Sequence, residues 1–308
     1  MSRKKVLIDC DPGIDDALAL LLAFASPELE VQAVTVVGGN QPLDATLQNA
    51  LGLTRLLSAG VPVAAGTAGP LVQKLVTAPE VHGANGLAGR VFAKTDTPSP
   101  LTALETMRQF VAGSQQPVVL VATGPLTNVA LFLKIYPELK ENIEYISIMG
   151  GGAFLGNQKP GAEFNIYVDP EAAELVFAAG VPVVMHGLDV TTKAFFTAED
   201  VQRIREIATP LAKTVCEWLD YYMVFHRSMG LEVLNMHDLC AVQYVAQPQL
   251  FATNSCHVAV ECRGSITRGC TVADFYHYTS LPHNALVAYE VRREEFVECF
   301  VKAVRHYG

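Results

Sequence analysis

The run Val6-Leu7-Ile8-Asp9-Cys10-Asp11-Pro12-Gly13-Ile14-Asp15-Asp16 decides the fold. A short apolar stretch ends on acidic residues, a Pro-Gly turn follows, and apolar residues then recur at helical spacing from Ala17 to Ala25. Strand, turn and helix in that order form the first half of a βαβ unit.

The same alternation continues outward. Val31 to Val37, Val61-Pro62-Val63, Val118 to Val121, Ile146 to Met149 and Val181 to Met185 read as further strands, with helices such as Leu43 to Leu57 and Ala172 to Ala178 between them. This predicts an α/β fold: an open, mostly parallel sheet with helices on both faces. After Ala198 the pattern changes to helical segments at 198–208 and 210–226, with a third beginning near Asp238, expected as a helical cap. Cys256 to Glu261, Cys270 to Tyr278 and Ala285 to Val291 read as extra antiparallel C-terminal strands. No linker or charge block divides the chain, so a single domain over residues 1–308 is expected.

Composition narrows the function. Of 308 residues, 17% are charged and the net charge is −9, which leaves no basic surface for nucleic acid or anionic lipid. The purely apolar stretch Ala17 to Ala25 is far short of the roughly 20 residues that span a bilayer. Arg3-Lys4-Lys5 is followed by too short an apolar run for a secretory signal. The seven cysteines are scattered without a C-x-x-C pair, as expected of small buried side chains in a reducing compartment. A cytoplasmic protein is the expectation.

In open α/β sheets, ligands bind beyond the carboxyl ends of the strands. Asp9-Cys10-Asp11, Gly38-Gly39-Asn40, Thr123-Gly124-Pro125 and Gly150-Gly151-Gly152 all follow strands and should converge on one edge. Asp11, Asp15 and Asp16 surround one turn, and converging carboxylates repel unless a cation joins them. Oxygen-only ligation favours calcium or magnesium. Acidic residues also favour a helix N-terminus, which accounts for Asp15 and Asp16 but not for the others.

Asp9 to Ala17, DCDPGIDDA, resembles the signature of the inosine-uridine-preferring nucleoside hydrolases. The resemblance continues in order through Gly39-Asn40-Gln41, His82-Gly83, Thr123 to Asn128, Met149-Gly150-Gly151, Ala162 to Asn165, Asp169 to Ala173 and Met236-His237-Asp238, covering nearly the whole chain. It implies one calcium ion per subunit, held by Asp11, Asp16, the Thr123 carbonyl and Asp238. It assigns the ribose to Asp15, Asn40, the Met149 backbone, Asn157, Glu163 and Asn165. It makes Asp11 the base and His237 the acid that assists the leaving base. His82, Tyr222 and His226 become candidate base contacts, with Asp9 supporting from behind.

The implied reaction is hydrolysis of a ribonucleoside, purine or pyrimidine, to ribose and free base. The wording Met236 to Ala241 is most similar to members of broad base specificity, and the family implies a homodimer or homotetramer. Two other readings stand beside it. The strand ending in D-x-D is similar to haloacid-dehalogenase-like phosphohydrolases, which would need basic residues where the candidate loops carry only Lys159. A non-catalytic nucleoside-binding protein would not need Asp11, Asp16 and Asp238 together with a histidine.

Overall fold

A computed structural model describes residues 3–94 and 96–308. In chain order its elements begin with β1 (Lys4–Cys10), α1 (Ile14–Ala25), β2 (Leu29–Val36), α2 (Leu43–Leu56), β3 (Val63–Ala65), α3 (Pro79–His82) and α4 (Ala103–Gly113). There follow β4 (Val118–Ala122), α5 (Thr127–Ile135), β5 (Ile143–Met149), α6 (Phe164–Val168), α7 (Pro170–Phe177), β6 (Val183–His186) and α8 (Leu188–Thr191). The last part contains β7 (Phe195–Phe196), α9 (Ala198–Arg205), α10 (Pro210–Ser228), β8 (Leu234–Asn235), α11 (His237–Ala246), β9 (Phe251–Cys256), β10 (Val258–Val260), β11 (Thr271–Ala273), β12 (Ala285–Val291) and α12 (Arg293–His306).

The main sheet runs β3-β2-β1-β4-β5-β6-β12-β9. Its strands are parallel except β9, which pairs antiparallel with β12. β1 shows why the sheet is covered on both sides: Val6, Ile8 and Cys10 pack with α1, α10, α11 and α12, whereas Leu7 packs with α4, α5 and α7. Each such side chain contributes about 1.5–3 kcal/mol on full burial. Continuous burial explains the unbroken apolar runs of the central strands.

The C-terminal part differs in detail from the sequence reading. Ala285 to Val291 is a strand, but it joins the sheet parallel to β6. The antiparallel edge is β9, which the sequence reading missed except for its last residue. β10 and β11 form a separate two-stranded ribbon, and the expected strand over 270–278 is regular only at Thr271–Ala273. Of the expected cap, α11 packs on α1 and β5, while the C-terminal half of α10 borders a cavity above the sheet. Among the described residues, no helix is long and apolar enough to cross a membrane.

Candidate functional site

The chain builds β1, β2 and β3 to one side and then crosses to β4, β5 and β6 on the other, so the strand order reverses between β1 and β4. Their carboxyl ends diverge into a crevice there, the place where such sheets take ligands. The Thr123 N–H donates to the Asp9 carbonyl at 2.9 Å, fixing the two strand ends together. A cavity of about 380 Å³ lies above them. Its walls include Asp15, Asn40, His82, Thr123, Met149, Asn157, Glu163, Asn165, Tyr222, His226, His237 and Asp238. Asp11 and Asp16 sit fully buried behind that lining, bonded to Asn40 and Thr123. Every residue expected at the site is therefore in or against one cavity.

The carboxylates are arranged by the β1–α1 turn. Asp16 accepts from the Gly13 N–H at 2.9 Å, as a helix cap does, and also from the Thr123 hydroxyl at 2.7 Å and the Asn40 amide at 3.3 Å. Asp11 accepts from the Asn40 N–H at 2.6 Å. A Cβ on Gly39 would stand 2.1 Å from Asp11 Oδ2, and one on Gly124 would stand 2.5 Å from Oδ1. Only glycine at these two strand ends lets the backbone close around the carboxylate. Asp9 shares the Leu7 face of β1, away from the cavity, where Thr35 and Asn128 donate to it at 2.6 and 2.9 Å.

Asp15, Asp16 and Asp238 bring carboxylate oxygens within 4.8 Å of one another. The sequence reading grouped Asp11 with Asp16 and Asp238 and left Asp15 to the ribose, whereas the structure gathers Asp15 most closely with the other two. Among the described residues no Lys or Arg pairs with any of the four, and the nearest cationic candidate is His82, 3.9 Å from Asp15. Burial therefore pushes the carboxyls up: Asp15 and Asp16 to about 6, Asp11 and Asp238 well above the usual range, with mutual repulsion adding to Asp11, Asp16 and Asp238. Among the described residues, Asp11 Oδ1 and Asp15 Oδ1 are buried without a hydrogen-bond partner. An all-oxygen cluster with unpartnered acceptors fits a hard divalent cation.

On the far side of β4, Glu163 caps α6, accepting from Asn165 and Ile166 N–H groups at 3.0 and 3.2 Å and from Gly151 N–H at 3.0 Å. Burial outweighs these bonds and raises its carboxyl to about 7. The Asn165 amide donates to the Thr123 and Met149 carbonyls at 2.7 and 3.1 Å, joining β4 to β5 at the cavity. Asn157 is exposed and accepts from the Phe164 N–H at 2.9 Å, which ties its loop to α6.

The opposite wall is aromatic and imidazole. His82 stacks on Tyr222 with centroids 5.9 Å apart, and Tyr222 meets His226 edge-on at 4.4 Å. His82 Nδ1 accepts from the Ile14 N–H at 3.2 Å, which places the ring proton on Nε2. His226 has both nitrogens engaged: Nδ1 donates to the Tyr222 carbonyl at 3.1 Å and Nε2 accepts from the Asn235 N–H at 3.2 Å. It latches α10 to β8 and leaves only carbon edge for a base. His237 Nδ1 lies 2.8 Å from the Thr191 hydroxyl. Burial holds His82 and His237 neutral, at about 4 and about 3.

Three residues here escaped the sequence reading. Thr191 orients His237, and Asp189 accepts from Ala153 and Phe154 N–H groups at 2.7 and 3.1 Å, pinning the loop beside the cavity. Both follow β6, so extending the strand-end rule to that strand would have found them. Asn235, at the end of β8, carried no signal.

A family model described as inosine-uridine preferring nucleoside hydrolase matches residues 6–298. Over 311 aligned residues the chain is 46% identical to the pyrimidine-specific ribonucleoside hydrolase RihA of Photobacterium profundum, with 100% of both chains covered. Among solved structures, a plant nucleoside hydrolase has a TM-score of 0.92 at 30% identity, over 99% of each chain. A purine-preferring ribonucleoside hydrolase from Gardnerella vaginalis has the same TM-score and identity over 98% of each chain.

Proposed function

Because the chain belongs to the inosine-uridine-preferring nucleoside hydrolases and is an N-glycosyl hydrolase, we propose that it cleaves ribonucleosides with calcium as its metal and prefers uridine and cytidine to purine nucleosides. The observation that carries this reading is the cluster of buried carboxylates, two of them with unpartnered oxygens, beneath a cavity edged by Glu163 and Asn165. Among the described residues the cavity wall has no Lys or Arg, which disfavours a phosphorylated substrate. The pyrimidine preference draws on the 46% identity to a pyrimidine-specific relative, against 30% to a purine-preferring one.

Asp11, Asp16, Asp238 and the Thr123 carbonyl would hold the ion, with Asp15 beside it. When bound, calcium supplies Lewis-acid polarisation of the hydroxyl and water oxygens around it. The protein does the rest. Asn40, Asp15, Glu163, Asn165, Asn157 and the Met149 carbonyl offer donors and acceptors for the sugar hydroxyls and orient the ring. Asp11 Oδ1 takes a proton from the attacking water as the oxygen bonds to C1′. The C1′–N bond breaks, its electron pair leaves on the base, and positive charge builds on the ribose. Neutral His237, oriented by Thr191, steadies the departing base by a hydrogen bond from the N–H of its free nitrogen; the base takes its proton from water, and Asp11 returns the proton it took to solvent. Tyr222 and His82 supply faces against which the base stacks.

The test is release of free base from uridine, cytidine, inosine, adenosine and their 2′-deoxy forms, with calcium and after chelation. Calcium-dependent release from the ribonucleosides, fastest for uridine and cytidine, is expected. Equal rates with and without chelator would sink the metal assignment, and faster purine cleavage would sink the base preference.

A further inference from the structure

Asn157 and Gln158 are exposed, and among the buried amides at the site one stands apart. Asn40, Asn49, Asn128, Asn165 and Gln41 all spend their side-chain donors on backbone or carboxylate oxygens of the protein. Asn235 does not. The residue lines the cavity and is only 8% exposed, yet among the described residues no hydrogen bond reaches its side-chain amide.

The backbone there is fixed from two sides. Asn235 pairs with Phe195 across the β7–β8 ribbon, its N–H donates to His226 Nε2, and the next N–H, of Met236, donates to the Ala194 carbonyl at 2.8 Å. With the backbone so held, the amide is left open to the cavity and bonded to no protein group among the described residues, whereas buried side-chain amides normally find partners within the protein. A rigidly held, unsatisfied amide in a cavity wall is the arrangement expected where a ligand completes the bonding.

We propose that Asn235 is a specificity-determining residue that reads the polar edge of the nucleobase. This rests on the nucleoside hydrolase reading above. Asn235 is joined through its N–H to His226, which meets Tyr222 edge-on, and all three line the cavity. A carboxamide presents one acceptor beside one donor. Uracil offers the complement, N3–H beside a carbonyl oxygen. Rotating the amide by half a turn matches cytosine, whose N3 accepts and whose N4 amino group donates. One residue thus serves both pyrimidines, while a base that fills the cavity without the edge donor covers the Asn235 oxygen and leaves it unpaired.

The experiment compares kcat/KM for uridine and for 3-methyluridine, in which a methyl group replaces the N3 proton, on the calcium-loaded wild type and on Asn235→Ala and Asn235→Ser. The wild type should favour uridine roughly 10–100-fold. In both variants uridine should lose about tenfold while 3-methyluridine changes less than about twofold, so the ratio collapses. Equal losses on both substrates in both variants, or an unchanged ratio, would overturn the assignment. Uridine turnover by the wild type is the separate measure of the hydrolase reading, so a wild type inactive on every ribonucleoside would overturn that reading and the role of Asn235 with it.

Discussion

Stripping divalent ions and raising the pH from about 5 to about 8 should lower the melting temperature. The cause is the buried acid cluster. Asp16 is held at about 6 against an ordinary 3.8, and Asp15 likewise. For each, that difference corresponds to roughly 3 kcal/mol over the whole titration, of which roughly 1.4 kcal/mol falls between pH 5 and pH 8. Because the folded values lie above the unfolded ones, this stabilisation is complete below about pH 4 and is lost as the pH rises through about 6. Asp9 and Glu163, both raised to about 7, extend the loss toward pH 8. A chain of 308 residues has an unfolding entropy near 0.65 kcal/mol/K, so about 3–6 kcal/mol becomes a fall of roughly 5–9 °C. Calcium at about 100 times its Kd should restore about 2.7 kcal/mol, or roughly 4 °C, at pH 8, and less at pH 5 where protons compete. Scanning calorimetry in chelator and in calcium at both pH values reads this directly. Asp16→Asn should raise the chelated melting temperature at pH 8 and blunt the calcium response. A chelated protein more stable at pH 8 than at pH 5, with calcium indifferent at both, would refute the reasoning.

Asp11→Ala should cut kcat by roughly 10²–10⁴-fold with the circular dichroism spectrum unchanged, measured as base release under saturating calcium and uridine. Gly39→Ala should cost at least about tenfold in kcat and lower the melting temperature as well, because the new methyl would sit 2.1 Å from Asp11 Oδ2 and 2.7 Å from the Pro125 ring. His226→Ala should lower stability by about 2–3 kcal/mol, seen in urea titration, since it removes the bonds to the Tyr222 carbonyl and the Asn235 N–H. In the same variant KM for uridine should rise more than kcat falls, because α10 loses its latch to β8.

The central strands were legible because β1 and β4 are buried on both faces, so their apolar runs are unbroken. β9 was not, because its sequence FATNSC has no apolar alternation: it is an edge strand with only its two ends buried. Val61 was read as the start of a strand that the structure begins at Val63, where pairing with Val34 begins. At the site, the strand-end rule pointed to Asp11, Asn40 and the loop of Asn157, Glu163 and Asn165, whereas Asp238 was named only by the family resemblance. The rule could not assign roles, since the directions of Asp11 and Asp15 depend on how the Pro12-Gly13 turn enters α1. Nor could spacing show that His226 spends both nitrogens on backbone, a fact set by where β8 passes α10. Asn235 stayed invisible because its importance lies in a missing partner, which only packing reveals.

The most direct test of the central claim is a time course of uracil and free ribose released from uridine by the purified protein in calcium, with no phosphate present. Equimolar uracil and ribose, abolished by chelation and restored by calcium, is the predicted result. Uridine left intact in calcium, or cleavage that needs phosphate and yields a sugar phosphate, would contradict it.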